Sequence, residues 1–369
     1  MLHDIPLAYE NAPWEETPDT GATLVGRLER LPKWLNLVPM VAQWLWLSLK
    51  HRSFMLPAAA NPAITAGGLV GEGKSEYFHI MGPHARSLTA DYAIVRNDEG
   101  CGVAGCEAAM RRSGLDYPLI AKPDIGWCGF GVRLVSDPRE LESYLRQFPR
   151  GETVVLQRFI PYEGEAGLYY VRAPGEARGH ITGILLRSFP RVVGDGRKTI
   201  GALIADHPRA YRLGRDGRSQ PCCDPAMIPC AGEIVRVSIT GSTRVGGLYS
   251  DASKLVTPAL EDAIDAIARD MTQLHVARFD IRYESLGALR QGKAFSIIEV
   301  NGAGSEAVQA WDPRYSLAQA YRIVFAKQRM LFRIGGMMRQ RGHKPPNVFR
   351  LARLYLRQAD LIRRYPKSN

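Results

Sequence analysis

Ser296-Ile297-Ile298-Glu299-Val300-Asn301-Gly302 is the stretch on which the reading of this chain turns. It is short, rich in β-branched residues and closed by a glycine, as a β-strand running into a turn would be. Upstream, Ala277-Arg278-Phe279-Asp280-Ile281-Arg282-Tyr283 has the same character. The residues between them, Glu284 to Lys293 with Gly287 and Gly292, suit a hairpin loop. Alternate residues of a strand share a face. Glu299 and Asn301 therefore project together, and so do Arg278, Asp280 and Arg282. Pairing the two strands collects Asp280, Glu299 and Asn301 into one polar patch with arginines beside it. Two carboxylates and an amide oxygen are hard ligands, suited to Mg²⁺ carrying nucleotide phosphates. The plainer reading is an exposed hairpin face with ordinary salt bridges, and spacing alone does not decide between them.

Earlier stretches bear on that choice. Asp116 to Pro123 reads as a strand that ends in Lys122, and Gly126-Trp127-Cys128-Gly129-Phe130-Gly131 follows as a glycine-rich turn into Val132–Val135. A lysine beside such a turn offers a triphosphate a point charge and backbone N–H donors. Thr153 to Pro161 reads as a buried strand entering a turn, with Gln157 supplying an amide oxygen. In Arg191 to Arg209, Gly194-Asp195-Gly196 makes a turn and Thr199 caps a helix.

In this order the stretches resemble the ATP-grasp superfamily, whose metal-binding end runs Arg-x-Asp on one strand and Glu-x-Asn on the next. The segment Gly194-Asp195-Gly196-Arg197-Lys198-Thr199-Ile200 through Pro208-Arg209 is similar to the "GDGKxTIxxLI…PR" run of cyanophycin synthetases and of the ligase half of bifunctional glutathione synthetases. The resemblance covers about residues 90 to 315. It implies an α+β ATP-grasp fold with two sheet-bearing subdomains clamping ATP. The expected division is an N-terminal region over 1–89, the ATP-grasp domain over 90–320 and a basic helical extension over 321–369.

The resemblance also implies roles. Asp280, Glu299 and Asn301 would hold Mg²⁺, with Mn²⁺ as the alternative. Lys122 and the loop containing Gly126, Gly129 and Gly131 would fix the phosphates, and Lys198 belongs to the matched nucleotide-binding segment. Gln157, Arg158, Phe159 and Ile160 would meet adenine, and Glu165, or alternatively Glu163, the ribose. Arg278, Arg236 and Arg187 would steady an acyl phosphate and the tetrahedral intermediate after it. The activity implied is ligation of a small-molecule or peptide carboxylate to an amine, with release of ADP and phosphate. A phosphotransferase acting on a hydroxyl or histidine, and a non-catalytic nucleotide-binding module at a membrane, are the competing readings.

Composition is that of a soluble globular protein: 369 residues, 46% apolar and 23% charged, long enough for two or three subdomains. Six cysteines show no CxxC pair and no secretory signal opens the chain, so a reduced, cytoplasmic setting is expected. Zinc on Cys222, Cys223 and Cys230 lacks a second ligand pair.

The net charge of +11 is local: residues 321–369 carry thirteen Lys/Arg against Asp360 alone. In that tail Arg350, Arg353, Arg357 and Arg364 would line one helical stripe opposite Leu351, Leu354, Tyr355 and Leu361. Residues 1–20 hold five acids and no base and are expected to form an irregular arm. Residues 34–49 run uncharged with three tryptophans and basic flanks, too short and too Pro-interrupted to span a bilayer. They suit either an interfacial membrane helix or one packed on the body. Together, 34–49 and 321–369 point to an anionic inner-leaflet surface rather than to nucleic acid, for which the tail lacks a regular interleaving of aromatics. Gly68 to Ser75 spells a Walker P-loop, but the Pro/Ala/Asn run before it is no parallel strand, so a substrate-facing loop is the expectation.

Overall fold

Runs of β-branched and apolar residues form two antiparallel sheets in the computed structural model, which describes residues 25–98, 100 and 102–369. The acidic arm over 1–20 lies outside the described residues. The chain enters through α1 (Arg27–Arg30), α2 (Lys33–Lys50), α3 (Lys74–Ile80) and α4 (Pro83–Ser87). The first sheet follows: β1 (Tyr92–Arg96), α5 (Gly102–Arg112), β2 (Leu119–Pro123), β3 (Arg133–Val135), α6 (Pro138–Gln147) and β4 (Thr153–Arg158). Its strand order is β1-β4-β2-β3. Asp137 caps α6, whose Leu141, Tyr144 and Leu145 meet Met110 of α5 over the sheet in one apolar core.

The second sheet has the order β11-β10-β5-β6-β9, from β5 (Gly164–Val171), β6 (His180–Ser188), β9 (Leu248–Asp251), β10 (Val276–Tyr283) and β11 (Phe295–Asn301). A small lobe interrupts it between β6 and β9, with β7 (Arg191–Val193), α7 (Ile200–Asp206) and β8 (Ile234–Arg236). Thr199 accepts the Ala202 N–H and caps α7. Helix α8 (Pro258–Arg269) starts on a Thr257 cap and buries Leu260, Ile264, Ile267 and Ala268, one helical stripe, in the sheet's main core. The α+β fold with two sheet-bearing subdomains is therefore the one expected. The presumed hairpin loop between β10 and β11 differs, since Ser285 caps a one-turn helix, α9 (Leu286–Arg290).

Strand β11 departs from strict alternation. Asp280 pairs with Glu299 but Ile281 with Ile297, so Ile298 is an extra residue, a β-bulge. Phe295, Ile297 and Val300 are buried while Glu299 and Asn301 are not. The same place joins the sheets: Ala90 donates to the Ile297 carbonyl (2.9 Å) and Ile297 to the Leu88 carbonyl (2.8 Å).

Two long helices close the chain. α10 (Leu317–Gln340), capped by Ser316, runs alongside α2 in the same direction. Contacts progress from Tyr321 on Asn36, through Gln43 on Phe325 and Trp44 on Phe332, to Arg339 on His51. α11 (Val348–Arg364) leads into residues 365–369, which cross the glycine-rich turn: Tyr365 donates to the Ile125 carbonyl and Gln358 to that of Gly126. The arginine stripe of α11 stays exposed, with Arg357 reaching Glu152 and Arg364 reaching Asp360. The Gly67–Gly71 stretch lies against the end of β11, with Gly304 N–H on the Gly68 carbonyl (2.6 Å). A Cβ on Gly68 would come within 2.6 Å of the Gly302 Cα, so its glycines serve close backbone packing and not a P-loop.

Candidate active site

The register of β10 and β11 sets Asp280 opposite Glu299 and Arg278 opposite Asn301. Asp280 is buried at 1% exposure and is the hub. The Arg278 guanidinium grips it in a fork, Nε to Oδ1 at 2.7 Å and an N–H₂ to Oδ2 at 2.9 Å. Arg187 from β6 (3.2 Å) and the Asn301 amide (3.2 Å) also donate to Oδ2. Because Asn301 uses its Nδ2 there, its Oδ1 remains the acceptor end.

Above this hairpin stands Lys122, the buried last-but-one residue of β2. Its Nζ donates to Gln157 Oε1 (2.6 Å) within its own sheet and to the Ile298 carbonyl (2.8 Å) across the cleft. The bulge frees that carbonyl. Burial pulls the Lys122 ammonium down to about 8, although Glu299 opposes it. Lys74, first residue of α3, reaches Glu299 at 3.2 Å. Burial would raise the Glu299 carboxyl, but Lys74, Lys122 and Arg278 together hold it down at about 2. Lys74 also touches the glycine-rich turn, since a Cβ on Gly126 would lie 2.8 Å from its Nζ. Gly129 and Gly131 of that turn have positive φ, 72° and 71°, which a side chain would strain. Arg244 of the small lobe braces it, donating to the Cys128 and Gly129 carbonyls and lying 4.2 Å from the Phe130 ring centre.

The floor continues as a charge network along β5, β6 and β10. Glu165 is buried between Arg187 (2.8 Å) and Arg282 (3.2 Å). Burial would raise its carboxyl, yet Arg282 and Arg187 hold it below the usual range. Arg187 is pushed up by Asp280 and Glu165 in spite of its burial. Glu163 takes Arg191 and Arg236. Arg236 stacks 3.5 Å from the Phe189 ring centre, and burial, with Arg282 nearby, lowers it to about 10. Arg187, Arg191, Arg236, Arg278 and Arg282, with Lys74 and Lys122, outnumber Glu163, Glu165, Asp280 and Glu299. Such a cleft attracts a polyanion.

The fit to Mg²⁺ is a matter of donor chemistry. Among the described residues no cluster of three or more His, Cys, Asp and Glu can hold a metal, so a metal here depends on the Asn301 amide as third ligand. Glu299 is ionised at neutral pH, Asn301 Oδ1 is an acceptor, and among the described residues Asp280 Oδ1 accepts a hydrogen bond only from Arg278. Three hard oxygens on one face fit a hard cation.

The structure brings together Lys122, Gln157, Arg187, Arg278, Asp280, Glu299 and Asn301, with Glu165 and Arg236 adjoining. Gln157 spends its oxygen on Lys122 and its amide on the Ala90 carbonyl. Two expected residues stand elsewhere. Arg158 turns to Asp91 and the Gly114 carbonyl. Lys198 pairs with Asp206 on the exposed surface of the small lobe. Phe159 and Ile160 follow β4 and are half-buried. Sequence reasoning missed Lys74, Arg282 as a partner of Glu165, and Lys327. Lys327 of α10 lies 3.3 Å from Ser305 Oγ, and burial, then Arg278, lowers it to about 7. Lys74 alone had a signal, its place at a glycine-flanked helix start.

Fold and site thus define an α+β protein that presents a hard-ligand cluster and an arginine-lined floor between two antiparallel sheets. No family model matches the chain. It is similar to the glutathione biosynthesis bifunctional protein GshAB of Streptococcus thermophilus, 29% identical over 108 residues. That match takes in 28% of this chain and spans only 13% of the relative's length. Among solved structures, D-alanine–D-alanine ligase from Bacillus anthracis gives a TM-score of 0.41 at 15% identity, covering 76% of this chain and 71% of that one. A bifunctional glutathione synthetase from Pasteurella multocida gives 0.34 at 16% identity, covering 70% and 35%.

Proposed function

We propose that this chain is an ATP-grasp ligase that joins a carboxylate to an amine at the expense of ATP. The observation that carries the reading is the direct pairing of Asp280 with Glu299 across β10 and β11, beneath the buried lysine of the facing sheet. Lys122, Lys74 and the backbone of the Gly126–Gly131 turn bind the triphosphate. Asp280, Glu299 and Asn301 would hold Mg²⁺, which supplies charge neutralisation along the phosphates.

The acceptor carboxylate attacks the γ-phosphorus, the bond to the β,γ-bridging oxygen breaks, and ADP leaves. The amine then adds to the acyl carbon, loses a proton, and expels phosphate as the amide forms. Negative charge grows on the acyl oxygen in that second step, and Arg278 with Arg187 is fixed beside it by Asp280. Both arginines are preorganised, so little reorganisation is needed as the charge develops. No side chain acts as nucleophile; positioning and electrostatics carry the rate.

ADP release from the purified protein against a matrix of carboxylates and amines tests the reading, with products weighed by mass spectrometry. Hydroxylamine given with the right carboxylate should trap a hydroxamate. ADP formation without amine, with phosphate in a stable ester on the acceptor, would assign a phosphotransferase instead.

A further inference from the structure

The helix pair α2 and α10 carries a surface that the active site does not use. At about 100° per residue, the exposed positions of α2 from Trp34 to Leu49 fall within half of the helix circumference, and every one of them is apolar. Trp34, Leu37, Val38, Val41, Leu45 and Leu49 make up its centre, and Leu49 is 80% exposed. The opposite side, with Asn36 and Leu47, is buried against α10 and the residues around Leu56. A soluble monomer rarely leaves so continuous an apolar face open.

Charge says what covers it. Lys50 and Arg52 are exposed at one end of α2, with Lys50 Nζ 5.2 Å from the Trp46 ring centre, and Arg27 and Arg30 are exposed near the other. On α10, Arg322, Arg329 and Arg333 repeat at seven and four residues on the open side. Neither helix contains an acid. Glu29, the only acid between residues 25 and 71, is consumed in ion pairs with Arg209 and Arg212. A tryptophan-bearing apolar half-cylinder ringed by cations that pair with no acid among the described residues matches the interface of an anionic bilayer, where the rings sit among headgroups and the cations meet lipid phosphates. Among the described residues no helix is long and apolar enough to cross a membrane. We infer that α2 lies in the membrane interface with its Trp34–Leu49 face inserted and the α10 arginines on the headgroups, so that the protein works at an anionic lipid surface.

Co-sedimentation of the full chain with extruded vesicles tests this. Vesicles with a third phosphatidylglycerol should carry the protein down and pure phosphatidylcholine far less. Val38→Glu with Leu45→Glu, both on open surface, should abolish binding while the circular dichroism spectrum stays the same. Arg329→Gln and Arg333→Gln should each lower partitioning about fivefold, and raised salt should weaken binding further. Failure to bind anionic vesicles, or unchanged binding by the double-Glu variant, would overturn the inference. So would a dimer in solution that the double-Glu variant splits, since a second copy would then own the face. Vesicle binding gained only on removal of residues 1–24 would also overturn it, assigning the face to that acidic segment.

Discussion

Glu299→Gln removes the anion that Lys74 and Lys122 face while keeping the side chain's shape. The Glu299 carboxyl, raised by burial but lowered further by Lys74, Lys122 and Arg278, sits at about 2 against an ordinary value of 4.5. The folded-state value lies below the unfolded one, so the ionised carboxylate stabilises the fold at neutral pH, and that contribution is lost as pH falls toward 2. The gap corresponds to ~3 kcal/mol. With 30% of the side chain open to solvent, screening leaves ~2 kcal/mol. Urea unfolding of both proteins across the acid range isolates this group, because every other titrating residue is common to the two. The expected difference is ~2 kcal/mol at neutral pH, shrinking to under half of that near pH ~3. The same substitution should stop ADP formation, since a hard ligand is gone. A difference that stays constant with pH, or equal stabilities at neutral pH, would refute the electrostatic account of this cluster.

Asp280→Asn leaves Arg278 and Arg187 without their shared anion; ADP formation should vanish in a coupled assay, and urea unfolding should show a loss of ~3 kcal/mol. Lys122, lowered by burial to about 8, loses its charge as pH rises through that value. Affinity for a non-hydrolysable ATP analogue, by calorimetry, should therefore fall above about pH 8, and Lys122→Ala should bind weakly at every pH. Asn61→Ala should cost ~3 kcal/mol by urea unfolding. Fully buried, Asn61 accepts from the His275 and Val276 N–H groups and donates to the Gly67 and Val276 carbonyls, tying the glycine-rich segment to the start of β10.

What could be read in advance followed from local periodicity. Asp280, Glu299 and Asn301 were legible because polar residues on one strand face repeat every second position, and the registered pairing then sets them side by side. The Thr199 cap was legible because a cap is a contact within one turn. Gln157 was harder: a buried strand amide can turn to a ligand or to a neighbour. Nothing in its own stretch says that Lys122 stands diagonally across in the next strand. Lys74 meets Glu299 only because the glycine-rich segment packs backbone to backbone on Gly302–Gly304, a contact with no local signature. The basic stripe of α11 could be counted from spacing, but its seat across the Gly126 turn depends on Gln358 and Tyr365, which no charge pattern singles out.

The unpaired residue in β11 makes strand length matter more than strand composition. Before Ile298 the odd-numbered residues Phe295 and Ile297 point to the core; beyond it the even-numbered Val300 does, and Glu299 and Asn301 are released to the cleft. The strand thus has two reading frames, joined at one residue. Deleting Ile298 would merge them into one regular alternation, with Phe295, Ile297 and Val300 still on the core and Glu299 and Asn301 still on the cleft. What would go is the Ile298 carbonyl, the acceptor that Lys122 reaches across the cleft. No change of side chain at 298 removes that acceptor, because it belongs to the backbone. A family of working variants should therefore accept exchanges among Ile, Val and Leu at position 298 but not the loss of that residue.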